Sequence, residues 1–535
     1  GNFYAQATDI DFSAWLNEYT ALDGKLISSK GNAELRARIN TGEVSRIDGV
    51  LKPTIFDWQT NDFTVHNEIS AKFAAVNQEK LWQFTVEDVE LLTDEASLLV
   101  SLNGNYSSAN GLMFRTSNAF PVKSFLPISG LFSTGLADQL ALLSLDMSID
   151  DVAVHINEDV SALVSISDVA WQEHKLISGV SDLQAQVLWQ NSKGKLTLFG
   201  DKVKVHTNEL FDRDLSLEPF SVPIYINTQG DLLITSKGSE LVANELNIQA
   251  DFEYFHGSQF LSLAIDVASL NANVIPSWLP NKLMGSEAKR FLSDAFSGEG
   301  NVESASVLWH GKVSEFPFES ADPQNISNGI FQSKVNIKDA DFRFSKRWPQ
   351  LKELDAQLLF ENKSLHITGD KGKLGGVNLS ELRADIASFS NSTVLTISAE
   401  GETRSSDLTT VMLDSMLADS LGRLLDKDLI LDGDLRSQLN LYIPLSNANE
   451  TRATGKVFLQ DTKVTLPSLD IVFEKAKGVI HFDNEAIELS DMSAELLNQD
   501  ITANVSGVQN EDVYELKVNL LGDWKAKQLA TYISE

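Results

Sequence analysis

The chain has 535 residues, 43% of them apolar, with 75 acidic against 43 basic side chains and a formal net charge of −32. That apolar share supports an extensive buried surface and argues against disorder, while the acidic balance argues against nucleic acid as a partner and against docking on an anionic membrane through a basic face. There is no cysteine, so disulfides, thiolate metal sites and cysteine nucleophiles are excluded together.

Taken in chain order, the opening residues GNFYAQATDID carry neither a basic region nor an apolar core, so no signal peptide is expected. A start at Gly1 without an initiator Met reads as a piece excised from something anchored elsewhere. Phe12, Trp15, Leu16 and Tyr19 fall at i, i+3, i+4, i+7 and predict a short helix. Asn103-Gly104 reads as a turn. Ser124 to Ala137 is free of charge but has only 14 residues, with Pro and Gly inside. A membrane span needs about 20 apolar residues, so this stretch reads as a buried connection or as a cap over a groove. Leu136 to Leu143 is a weaker helical patch.

Residues Leu183 to Asp201 read LQAQVLWQNSKGKLTLFGD, an apolar run, an Asn-containing turn and a second apolar run. That is the pattern of a β-hairpin. Leu354 to Asp370, LDAQLLFENKSLHITGD, repeats it, and Lys477 to Asp491, KGVIHFDNEAIELSD, is a looser third copy. Beyond the first copy, Val203 and Val205 alternate with Lys202, Lys204 and His206. Val335 and Ile337 share one phase, and Ala340, Phe342 and Phe344 the opposite one, so Asp339 is expected at a bulge or corner. Leu435, Leu439, Leu441 and Ile443 share a face. One-sided alternation of this kind predicts antiparallel strands with one apolar and one wet face. Further turn signals are Gln229-Gly230, Lys237-Gly238, Gly375-Gly376 and Asp432-Gly433. Helical patterns are short: Ala272 to Leu279, Ser286 to Phe296, about Asp407 to Leu425, and a last one holding Trp524, Leu529 and Tyr532.

A repeated unit buries its apolar face against its neighbours, so the chain reads as an elongated β array. The helical patterns recur at intervals of roughly 120 to 135 residues, within the usual size of a domain. They divide the chain into four repeat units, 1–134, 135–268, 269–405 and 406–535, with soft boundaries and a sheet that is free to run through them.

Catalytic signatures are missing. The eight His (His66, His155, His174, His206, His256, His310, His366 and His481) form neither HxxxH nor HExxH, and His206, His366 and His481 read as exposed strand positions. Asp9/Asp11, Asp212/Asp214 and Asp432/Asp434 are the pairs that 75 acidic residues produce by chance. Gly369 to Gly376, GDKGKLGG, has the wrong spacing for a phosphate loop and reads as a turn between strands. No metal or cofactor is expected, and no enzymatic activity.

The segment from Trp278 resembles the AsmA-like family of Gram-negative envelope proteins. The residues that carry the resemblance are Leu279-Pro280, Met284-Gly285, Phe291-Leu292, Gly298 and Gly300, Val307-Leu308-Trp309 with Gly311, and Phe316-Pro317-Phe318. Gly329 with Phe331, Ala340 with Phe342 and Phe344, Trp348-Pro349, Phe360 with Asn362, and Leu441 to Leu445 complete it. It covers about 200 to 460. It implies a mainly β fold, an elongated antiparallel β half-pipe or repeating β-groove with short interspersed helices. It further implies a periplasmic section of a protein anchored in the inner membrane by a helix this sequence lacks, with phospholipid as partner. The implied function is transfer of glycerophospholipid between inner and outer membranes.

The residues support such a reading. Continuous hydrocarbon contact holds an acyl chain at about 0.8 kcal/mol per buried CH₂ without discrete anchors, and 28 Phe against 8 Tyr favours apolar rings. The expected groove lining is the alternating apolar set Val187, Leu196, Leu198, Val203, Val205, Val335, Ile337, Phe342, Phe344, Leu358, Phe360, Leu365, Ile367, Leu439, Leu441 and Ile443. Trp278, Trp309 and Trp348 are rim or packing residues, Trp348 the most structural of them. Two rivals stand: a structural or scaffolding β-repeat protein of the envelope with closed cores and no lipid, and a carbohydrate-active β enzyme, which needs a cleft with convergent carboxylates.

Overall fold

The computed structural model describes all residues except 14–25, 60–63, 93–96, 123–144, 175–177, 208–210, 212, 245, 279–285, 297, 319–327, 390–392, 448–449, 511–512 and 525–535. The expected helix at Phe12 to Tyr19, the stretch Ser124 to Ala137, the patch Leu136 to Leu143 and most of the last helix fall outside the described residues. The chain divides into two compact units, Gly1–Leu261 and Ser262–Glu535, each taken by itself below.

In the first unit the main strands are Asn2–Asp11, Leu26–Asn40, Glu43–Gln59, Thr64–Gln78, Leu81–Leu92, Ser97–Ser107, Gly111–Thr116, Asp146–Ile156, Val160–Trp171, Gly179–Gln190, Lys193–Gly200, Phe220–Asn227, Leu233–Ala243 and Leu246–Phe255. Each pairs antiparallel with the next. Short segments such as Lys204–His206 and Leu215–Ser216 extend neighbouring strands. The second unit continues the pattern from Asn301–Lys312 to Val513–Gly522. Among the described residues no pairing joins the first strand of a unit to its last, so neither sheet closes into a barrel.

The sequence repeat has a hydrogen-bond basis. The turn residues Asn191, Asn362 and Asn484 are all left-handed, with φ of 53°, 52° and 49°, a conformation Asn tolerates. Each Asn Oδ1 accepts the backbone N–H of the residue beside it on the preceding strand: Val160 at 3.1 Å, Phe331 at 2.9 Å and Ala453 at 2.8 Å. The Asn N–H in turn donates to that residue's carbonyl.

A second device recurs inside the strands. Asp9, Asp88, Asp168, Asp339, Asp461 and Asp491 have φ between 46° and 55°, and each sits where the register slips. These are β-bulges, which add one residue on one strand and bend it. The bulge at Asp339 is the one the phase switch predicts. A bulge frees a backbone N–H that needs a partner, and a polar side chain on the neighbouring strand supplies it. Asp9 donates to Asn32 Oδ1 (3.0 Å), Asp88 to Ser101 Oγ (3.2 Å), Asp339 to Asp355 Oδ1 (2.9 Å) and Asp491 to Asn504 Oδ1 (2.7 Å).

Three turn signals resolve differently. Asn103-Gly104 lies inside Ser97–Ser107, where Gly104 makes room for the ring of Phe84. Gly238, at φ 63°, is a bulge inside Leu233–Ala243. Gly433, at φ 148°, breaks a strand between Ile430–Asp432 and Asp434–Pro444. The helix expected over Asp407 to Leu425 is α-helical only for Ser405–Leu413 and continues as two π-helical turns, Ala418–Gly422 and Leu424–Asp428. Ser415 causes the break: its hydroxyl donates to the Met412 carbonyl (2.8 Å) and accepts the Leu417 N–H (3.1 Å), diverting the chain. Among the described residues the other α-helix is Ser286–Ala295, and the pattern at Ala272 to Leu279 forms a 3-10 helix, Ala272–Trp278.

The two units bury their apolar faces differently. In the second, one large core takes in Leu292 and Ala295 from the helix Ser286–Ala295, Phe296 just beyond it, and Leu408, Val411 and Met412 from the helix Ser405–Leu413. In the first, the described residues form two small buried clusters, Leu91, Leu98 and Phe120, and Val169, Val180, Leu183 and Val203.

Candidate functional site

Directly paired residues on antiparallel strands point their side chains to the same face. The pairings of the first unit can therefore be followed as one line from strand to strand. It runs Phe3, Ala37, Ile47, Ala75, Phe84, Gly104, Phe114, Val154, Ala162, Trp189, Gly194, Ile226, Ile234, Tyr254. Every member is apolar or aromatic, across fourteen strands. At about 4.8 Å per strand the line extends roughly 60 Å.

This face is neither sealed nor flat. Phe84, Phe114, Val154, Ile226 and Ile234 are half-buried; on the other face Gln83, Thr85, Arg115 and Leu188 are exposed, and Ala153, His155, Ser161 and Leu163 are half-buried. Among the described residues of this unit no helix packs on the apolar face. The face is the inside of a trough.

Glycines keep its floor low. A Cβ on Gly194 would lie 2.5 Å from the Trp189 ring, on Gly104 2.6 Å from Phe84 and on Gly49 2.1 Å from Phe73. The rings thus lie across glycines on the adjacent strand instead of standing into the trough, an arrangement that also covers the bare backbone.

The second unit has a matching line: Val302, Ile337, Ala356, Gly369, Leu382, Ala399, Leu439, Gly455, Phe482, Ile487, Gly507, Leu516. Here most members are buried. The helix Ser405–Leu413 supplies Leu408, Val411 and Met412 as cover, and a cavity of about 40 Å³ remains between them, Trp348, Leu439 and Phe482.

The sixteen residues named from the sequence lie as follows. Val187 pairs with Leu196, Leu198 is two residues further along, and Val205 pairs with Val180; these are half-buried, while Val203, where the strand breaks, is buried. Val335 pairs with Leu358 and Leu358 with Ile367, and Phe360 pairs with Leu365. Ile337, Leu439, Leu441 and Ile443 belong to the same face, and Phe342 pairs with Leu351. Phe344 lies just past its strand, its ring 6.1 Å from that of Trp348, and both are buried. Val335, Phe360 and Leu439 keep partial exposure, and the remaining members of the second unit are buried. The sequence reading named no residue before Val187, so Phe84, Phe114 and Val154 of the apolar line are absent from it. Their signal was the same alternation, in strands without a repeated hairpin to draw attention.

The opposite face is polar and laced with cross-strand ion pairs. Lys52 holds Glu34 at 2.7 Å, Lys371 holds Asp339 at 2.8 Å and Arg436 holds Glu400 at 2.8 Å. Arg452 meets Asp483. The hydrogen bond from the cation draws each of these four carboxyls below its ordinary value. Asp11 is drawn to about 2 by hydrogen bonds from Ser13 and then Ser29. A shallow concavity of about 360 Å³ on this face of the first unit mixes Met113, Leu163 and Leu188 with Arg115 and His155, which gives no continuous hydrocarbon path. His206 and His366 pair with Asp214 (3.0 Å) and Asp385 (2.6 Å) on the surface. Among the described residues no cluster of His, Asp or Glu is arranged to hold a metal ion.

Against known proteins, the sequence matches the family described as YhdP protein over residues 1–535. The chain belongs to the YhdP family. The resemblance carried by residues about 200 to 460 narrows to YhdP and extends over the whole chain. One YhdP relative, the intermembrane phospholipid transporter YhdP of Escherichia coli (strain K12), is 25% identical over 551 residues. The match takes in 98% of this chain and 42% of the relative, so the chain spans about two-fifths of that protein's length. No solved structure matches. No described helix is long and apolar enough to cross a membrane.

Proposed function

We propose that this chain is a periplasmic section of a bridge-like lipid transfer protein, carrying glycerophospholipid between inner and outer membranes without covalent chemistry. The acyl chains lie in the apolar trough and the headgroups face water. The observation that carries this reading is the fourteen-strand apolar line of the first unit, twelve of whose members are half-buried, with no described helix over it. Membership of the YhdP family and the name of the E. coli relative support the same cargo. Val187, Leu196, Leu198 and Val205 line the trough in this proposal, with Val203 at its deep edge. In the second unit the half-exposed Val335, Phe360 and Leu439 take that role. Ile337, Phe342, Phe344, Leu358, Leu365, Ile367, Leu441 and Ile443 form the packed floor beneath.

A hydrocarbon-lined path without polar anchors binds by contact area alone, so a chain can slide without breaking a specific bond. The test is native mass spectrometry of the purified chain after exposure to phospholipid vesicles. Bound phospholipid that survives buffer exchange is expected, and a chain that emerges free of lipid refutes the proposal. The closed-core scaffold describes the second unit's helices and core but leaves the open face of the first unit without a role.

A further inference from the structure

A trough has two rims, and those of the first unit differ. One rim carries the tight turns, at Thr41-Gly42, Glu79-Lys80, Asn157 to Asp159 and Asn191-Ser192. The other lies beyond the bulges. Along three of the unit's strands, burial deepens from the turn rim to the bulge side. In Ser97–Ser107, Tyr106 is 48% exposed, Leu102 and Val100 are half-buried and Leu98 is buried. In Gly179–Gln190, Trp189 and Val187 are half-buried, and Ala185, Leu183 and Val180 are buried. Leu81–Leu92 repeats this from Trp82 to Leu91.

The turn rim also holds three trough residues with an apolar body and a polar tip, while Trp171, on the bulge side, donates its Nε1–H to the Ser178 carbonyl at 2.7 Å. Trp82 and Tyr106 are direct cross-strand partners. Trp189 is fixed with its polar edge at the turn, its Nε1–H donating to the Asn191 carbonyl at 2.6 Å. Asn77, the partner of Trp82 on its other side, donates its amide N–H to the Val44 carbonyl at 3.4 Å. Aromatic side chains of this kind settle where hydrocarbon meets water.

From this we infer that the trough is polar across its width, and that it orients its cargo. Headgroup and glycerol pass over the turn rim beside Trp82, Tyr106 and Trp189. The acyl ends point to the bulge side, near Val100 and Leu198. The inference rests on the proposed lipid cargo and adds which rim faces the headgroup.

The experiment loads the full chain from vesicles of phosphatidylethanolamine doped with one of two photoreactive analogues. One carries a diazirine on the headgroup amine, the other at the end of an acyl chain, and the adducts are located by peptide mass spectrometry. Headgroup adducts are expected at least fivefold enriched on the peptides holding Trp82, Tyr106 and Trp189, and chain-end adducts on those holding Val100 and Leu198. Equal or exchanged distributions overturn the orientation and leave the trough as the lipid site. Adducts confined to the opposite face, or none from either analogue, overturn the cargo itself.

Discussion

Placing a carboxylate in the apolar face separates an open trough from a sealed core. Leu358, in the second unit, is 2% exposed. Replacing it by Asp forfeits about 1.5–3 kcal/mol of side-chain burial and strands a charge whose desolvation costs several kcal/mol more. Together that is about 5 kcal/mol or more, comparable with the whole stability of a typical domain, about 5–15 kcal/mol. Val187 shares the apolar character but is only half-buried and faces the trough. There the carboxylate keeps its water, so Val187→Asp costs about 1 kcal/mol. By the usual scaling that is a loss of about 2–4 °C in Tm for a unit of this size. Scanning fluorimetry and native mass spectrometry read the two effects together. Val187→Asp is expected to stay folded and to lose most of its phospholipid, whereas Leu358→Asp, or Leu441→Asp by the same reasoning, abolishes the cooperative transition of the second unit. If Val187→Asp unfolds the first unit as thoroughly, its face is a closed core and the trough does not exist.

Gly194→Val forces the Trp189 ring up from a contact of 2.5 Å; reduced lipid loading and a shifted tryptophan emission are expected, with the chain still folded. Asp339→Val places a β-branched residue at φ 46° and should cost about 1–2 kcal/mol in urea unfolding, whereas Asp339→Gly should be close to neutral. The carboxyls of Glu34, Asp339, Glu400 and Asp483 are lowered by their cations in the folded state. The unfolded chain therefore takes up protons first, and the stability these pairs add at neutral pH should be lost as pH falls through and below the ordinary carboxylate range. Melting temperatures from pH 7 to 3 test this, and adding 0.5 M NaCl at pH 7 should reduce the same contribution.

Alternation alone identified strands, their antiparallel sense and the apolar face, because a period of two is a property of the extended backbone. The repeated hairpins were visible because their turns require Asn in the left-handed region. The bulges were harder. Five further sites share the spacing of Ile337 to Ala340, among them Val86-Glu87-Asp88-Val89 and Leu489-Ser490-Asp491-Met492. One Asp between two apolar positions looks like any exposed residue unless the phase of both flanks is followed. Gly104 was read as a turn because the residue that explains it, Phe84, sits on another strand. The sealing of the second unit was hidden for the same reason: a helix such as Ser405–Leu413 does not announce which face it will cover. The half-buried state of the first unit's apolar face depends on what lies across neighbouring strands, which no local pattern encodes.

Because each strand bonds chiefly to the strand before and after it, the sheet has no closure condition to satisfy. A hairpin inserted anywhere restores the direction of travel and returns the chain to the same edge, while a single added strand would exchange the two edges for everything downstream. Such an array can change length in steps of two strands, about 10 Å each, without redesign of the remainder. Duplication of one supersecondary module is thus enough to lengthen it.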